Sequence, residues 1–220
     1  MSRVAIALCC FALMVPVQGS AGTIVISQIY GGGGNSGATL QNDFIELFNT
    51  GLSPVDITGW SVQYASTAGS SWQVTPLTGQ IVGGGYYLVR EAQGAGGTTP
   101  LPTPDATGSI PMSSTAGKVA LVNNSVALTG TCPTGAAIVD FVGYGSTTNC
   151  FLGAGPAPQL SNPLAALRIS DTGNNSVDFV TGTPNPHNSA YNAVPEPGTS
   201  LFVLFGLAGL ALVRKVSAAQ

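Results

Sequence analysis

Few side chains in this sequence are placed to do chemistry, and their spacing decides what each can be. The single histidine, His187, stands between Pro186 and Asn188. As a general base it would need a rigid neighbour to orient its ring. Lying beyond the last predicted strand, it reads instead as part of a closing loop. Asp43 and Glu46 are three apart, so along a strand they point to opposite faces, and paired-carboxylate glycosidase chemistry would need partners from elsewhere. Glu46 shares its face with Phe44 and Phe48. Two readings follow: a carboxylate satisfied by the backbone amides of a neighbouring loop, or an acidic spot on an aromatic binding surface. Asp171, Asn174, Asn175 and Asp178 could offer oxygens to Ca²⁺, but they lack the alternation and final glutamate of an EF-hand loop, and an Asx-rich turn is the other reading. Gly32, Gly34 and Gly37 have the spacing of a dinucleotide fingerprint. No basic residue or amphipathic helix follows to meet a phosphate, so a flexible glycine loop is expected there. This set predicts no catalytic residue, no metal and no cofactor.

The cysteines say more. Cys9 and Cys10 fall in an N-terminal apolar segment, which leaves Cys132 and Cys150. In a chain read as exported, that even pair predicts a disulfide, worth roughly 3 kcal/mol in the chain-entropy picture. Without CxxC spacing or a nearby histidine, zinc is not expected. Between the terminal segments only Arg90, Lys118 and Arg168 face eight acidic residues. Non-specific nucleic-acid binding needs Lys and Arg against phosphates, so this balance argues against it.

The elements that position these residues read as strands. The chain has 30 glycines without a Gly-X-Y period, and no internal segment sustains a helical period, so short strands and many turns are predicted. The central piece is residues 42–64, two strands joined by a turn, with Ile45 and Leu47 opposite the Phe44 face and Trp60, Val62 and Tyr64 on one face of the second. Further strands are expected at residues 24–30, 71–75, 86–91, 117–123, 166–170 and 177–180, with 125–128 completing a hairpin around Asn123 and Asn124. Residues 137–144 are nearly all apolar apart from Asp140, as a central strand buried on both faces would be. Residues 80–85 are expected to be a turn, and residues 94–111, rich in Gly, Thr and Pro, an irregular surface excursion.

Both ends carry an address. Residues 1–22 have the form of a signal peptide: Arg3, an apolar core over 4–17, then Gly19, Ser20 and Ala21. Near the other end, Val194, Pro195, Glu196 and Pro197 precede an apolar run over 201–213 and then Arg214 and Lys215. Thirteen residues of helix span about 20 Å against a bilayer core of about 30 Å, a marginal permanent anchor. Arg214 and Lys215 should stay cytoplasmic, which leaves the domain outside.

Two resemblances emerge. The segments IVISQIYGGGGNSG, DFIELFN with its later GW, YYLV, LPTPDATG, GKVALVN, IVDFVGYG and DFVTGTPNPHNS, in that order, resemble the bacterial secreted form of the lamin tail domain. The tail is similar to a PEP-CTERM sorting signal. The first implies an all-β, immunoglobulin-like β-sandwich over 23–189, after the signal peptide (1–22). A linker (190–194) and the sorting signal (195–220, membrane segment about 199–213, a C-terminal hydrophobic helix) follow. Together they imply a non-enzymatic module, secreted or displayed at the cell surface. An exosortase-type enzyme would be its processing partner, the membrane a transient contact, and extracellular polysaccharide a candidate ligand. The alternative implied by the family is an accessory domain for an extracellular nuclease or phosphoesterase.

Overall fold

The computed structural model describes residues 24–191. The expected signal peptide and the sorting residues Val194, Pro195, Glu196, Pro197, Arg214 and Lys215 lie outside them. Twelve strands and one helical turn follow in order: β1 (Ile24–Tyr30), β2 (Asn42–Asn49), β3 (Val55–Asp56), β4 (Ser61–Ala65), β5 (Gln73–Pro76), β6 (Gln80–Ile81), β7 (Tyr86–Gln93), β8 (Ala106–Thr107), β9 (Gly117–Val122), β10 (Ile138–Tyr144), β11 (Ala165–Arg168), α1 (Asn175–Asp178) and β12 (Phe179–Gly182). A six-stranded sheet in the order β12-β11-β1-β2-β7-β8 packs against a four-stranded sheet, β10-β9-β4-β5, and β3 pairs with β6 in a small ribbon. This is the expected all-β sandwich.

Alternation builds the core. Ile45 and Leu47 of β2 and Tyr87 and Val89 of β7 point inward against Val62 and Tyr64 of β4, Val119 and Leu121 of β9, and Val142 and Tyr144 of β10. Strand β1 departs from strict alternation. A register shift between Ile26 and Gln28 marks a bulge at Ser27, and the extra residue turns Ile29 inward alongside Ile24 and Ile26. The bulge also sends Gln28 and Tyr30 to the outer face, where the candidate site is built.

Each outer face carries an apolar cluster of its own. Over the four-stranded sheet, Trp72, Ala120, Phe141 and Cys150 form a second apolar cluster. Lys118 is fully buried there. Its ammonium donates to Gly69 O, Thr131 O and Asn149 Oδ1 at 2.9, 2.7 and 3.2 Å, tying three loops together. The Cys132–Cys150 disulfide joins two of them across a separation of 18 residues. Replacing both cysteines by alanine is expected to cost about 3 kcal/mol in chemical denaturation and leave the far-ultraviolet β signature intact.

Several expectations need correction. Residues 125–128 are not a strand. Gln63 takes their polar groups, donating to Val126 O and accepting from Leu128 N, so no ladder forms. Strand β10 is an edge strand rather than a central one. It is still buried on both faces, Val142 and Tyr144 in the core and Phe141 in the cluster on the outer face, and Asn175 accepts from Gly143 N and donates to Phe141 O along the open edge. The excursion over 94–111 is not wholly irregular or on the surface: β8 pairs parallel with β7, and Ile110 enters the core. Residues 80–81, read as turn, form β6 against β3. Val177 and Asp178, read as strand, belong to α1.

Candidate functional site

Strand register brings together two residues that the sequence left apart. Glu46 points to the outer face of the six-stranded sheet, where the closing segment, residues 183–190, crosses it. The Glu46 carboxylate accepts from Ser27 Oγ at 2.6 Å, Gln28 Nε2 at 3.1 Å, His187 N at 2.6 Å and His187 Nδ1 at 3.1 Å. Of the two readings of Glu46, the bond from His187 N matches the carboxylate met by a loop amide. Gln28 also holds the segment, donating to Asn185 O at 2.7 Å and accepting from Asn185 N at 3.1 Å. Farther on, Asn188 Nδ2 donates to Thr103 O, and Ser189 N and Oγ donate to Asp105. The closing loop is therefore a strap fixed at four points.

This arrangement lacks the relay of a hydrolase. With His187 Nδ1 on the Glu46 carboxylate, Nε2 is the nitrogen left to face a nucleophile, and it faces Asn185 Nδ2 at 3.2 Å. The nearby hydroxyl, Ser27 Oγ, bonds the carboxylate instead. His187 stacks on Tyr86 with centroids 4.7 Å apart, and Tyr86 meets Phe48 at 4.7 Å. Phe48 and Tyr86 are direct cross-strand partners in the β2–β7 register, so the three rings form a row.

Phe44 does not join them. Although it shares the face of Glu46 and Phe48, it is fully buried in a small cluster with Tyr30, Leu40 and Leu88. It belongs to packing and not to a binding surface. Beside the ring row lie two hollows. One of about 320 Å³ is lined by Phe48, Tyr86, Ser27 and residues 168–171. The other, of about 200 Å³, adjoins Glu46, Asn185 and His187. Ser27, Tyr86 and Arg168 line both.

Asp43 goes the other way, into the space between the sheets. Its oxygens accept from Gly33 N at 2.8 Å and Met112 N at 2.9 Å. Burial pushes its carboxyl up to about 7; the Met112 and Gly33 N–H groups oppose the rise and Glu91 adds to it. Glu91, which sequence reasoning did not single out, lies in the same space and accepts from Ile110 N at 2.9 Å. Burial pushes it up to about 7 as well, against the Ile110 N–H. Among the described residues, Glu91 Oε1 and Thr75 Oγ1 are buried without a hydrogen-bond partner.

The remaining candidates are structural in their contacts. Asp178 Oδ1 accepts from Ser170 Oγ, Thr172 N and Thr172 Oγ1, and its Oδ2 accepts from Asn174 N, so this carboxylate gathers the donors of the preceding loop rather than forming an Asx turn. Asn175 caps β10, and Asp171 pairs with Arg168. The glycine loop, expected to be flexible, is packed. Residues 31–34 are buried, and a Cβ on Gly33 would come within 1.9 Å of the Asn42 backbone. Glycine is required there by close backbone approach.

Comparison with known families agrees with the fold. The model described as Lamin Tail Domain matches residues 18–146. The model described as PEP-CTERM protein-sorting motif matches residues 193–215. Both are non-catalytic domain types. No curated protein matches the chain. The match ends after β10, while β11, α1, β12 and the strap continue the sandwich. With more than half of its length matched, the chain belongs to the lamin tail domain family and carries a PEP-CTERM protein-sorting motif beyond that domain.

Proposed function

We propose that this chain is a non-enzymatic β-sandwich module, held or displayed in the cell envelope, that works by binding or by structure within the extracellular polymer layer. The sorting motif supports export and processing by an exosortase-type enzyme. The observation that carries the non-enzymatic reading is the Glu46–His187 constellation. Its carboxylate is taken up by four donor groups of the protein itself, and its imidazole faces an amide where a nucleophile would have to stand. These groups hold a strap in place and leave no proton relay.

The test is cell fractionation of the native host, with the purified domain assayed in parallel on DNA and Mg²⁺. The protein should be recovered with the envelope and polymer fractions, and the DNA should stay intact. Recovery only as a freely soluble extracellular protein, or reproducible DNA cleavage abolished by EDTA, overturns the reading. The second result would favour the nuclease-associated alternative. Glu196→Ala should shift the apparent mass of the mature protein; an unchanged mass would remove the sorting step from the proposal.

A further inference from the structure

We propose that the hollow beside the Phe48–Tyr86–His187 row is a binding site for an uncharged polysaccharide, an inference that rests on the polymer-layer reading above. A pyranose ring offers apolar C–H faces and a rim of hydroxyls. Aromatic faces suit the first, and carboxylates, amides and hydroxyls the second. The hollow supplies both. Phe48 and Tyr86 lie 4.7 Å apart along one side, while Ser27, Ser170 and Asp171 contribute polar groups to the same lining. Its volume of about 320 Å³ falls at the lower end of ligand sites, which run from about 300 to 1,000 Å³. It suits a short stretch of sugar rings.

Charge selects the class of polymer. Arg168 is the cation in the lining, and its guanidinium is already committed to Ile26 O, Asp171 and Asp140. Asp171 keeps a side-chain exposure of 51% at the rim. A polyanion would meet this carboxylate with no available counter-charge, whereas a neutral glycan meets an acceptor. A peptide adding to the sheet is disfavoured by place. The hollow lies on a sheet face over β2, whose backbone is paired with β1 on one side and β7 on the other, so no strand edge is offered.

The experiment uses the purified domain in affinity electrophoresis through gels containing dextran, laminarin, hydroxyethyl cellulose or galactomannan. Alginate and a proline-rich peptide are run as competitors. At least one neutral polysaccharide should retard the protein, and neither competitor should displace it. Ile169, 64% exposed, lines the hollow, so Ile169→Arg should weaken binding at least tenfold without lowering the melting temperature. Val126, 73% exposed, follows β9 of the other sheet, and Val126→Arg should leave binding unchanged. Failure of all four glycans to bind, displacement by alginate or peptide, or equal binding by Ile169→Arg overturns the site. If the site fails while fractionation still places the protein in the polymer layer, the display reading stands. If fractionation fails, that reading falls independently.

Discussion

Raising the pH from about 5 to 8 should destabilise the folded domain. Asp43 and Glu91 sit near 7 in the fold against ordinary values of 3.8 and 4.5. The folded protein therefore keeps protons that the unfolded chain has already released. The extra stability is fully present below about pH 4, falls as the pH rises toward 7, and levels off above it. At about 1.4 kcal/mol per tenfold change in acidity, each carboxyl contributes at most about 3–4 kcal/mol. A few kcal/mol in all is expected, since the two share one space. Urea denaturation at intervals from pH 4.5 to 8.5 measures it directly, and a midpoint that stays flat or rises with pH would refute the expectation.

Two conservative substitutions should then act in opposite directions. Glu91→Gln keeps an acceptor for Ile110 N and gains an amide to offer Thr75 Oγ1, both without charge. It should stabilise the domain at pH 8 by about 1–2 kcal/mol and remove part of the pH dependence. Asp43→Asn must turn its NH₂ toward either Gly33 N or Met112 N, each of which now points at an oxygen. It should destabilise at every pH. Equal effects of the two would mean that hydrogen-bond directionality is not what distinguishes them.

Arg168→Met should cost about 3–5 kcal/mol, the cost of leaving a buried charge unpaired. Arg168 and Asp140 form an ion pair with side-chain exposures of 7% each, and together they join the two sheets. Asp140 accepts from Ile26 N on β1, and Arg168 Nε donates to Ile26 O. The guanidinium also lies 4.5 Å from the ring centroid of Phe179. Without the arginine, Asp140 keeps its backbone donors but has no counter-charge. Relative to the parent protein at the same pH, the loss should shrink in acid, where Asp140 can take up a proton. If the loss is the same at pH 4.5 and pH 8, it comes from packing against Phe179 and not from the charge.

The sequence by itself determined the layers. Alternation in residues 43–49 put Ile45 and Leu47 on one face and Phe44, Glu46 and Phe48 on the other, and the fold keeps that division. The pairing of Cys132 with Cys150 was also legible, because the other two cysteines fall in the apolar N-terminal segment. Both are local or compositional facts, and side-chain period and residue class carry them. The site needed the tertiary structure. Alternation cannot distinguish Phe44 from Phe48, since both lie on the outer face; Leu40 and Leu101, brought in by two loops distant in sequence, help bury the first, while Phe48 stays half-buried. Nor does IVISQIY reveal the bulge at Ser27. Only pairing with β2 shows it, and it turns Gln28 outward to hold the strap. Glu46 and His187 meet across 141 positions, and Asp43 meets Glu91 between the sheets. Such encounters depend on strand order and register, which are settled by the packing of the whole core and not by any one segment.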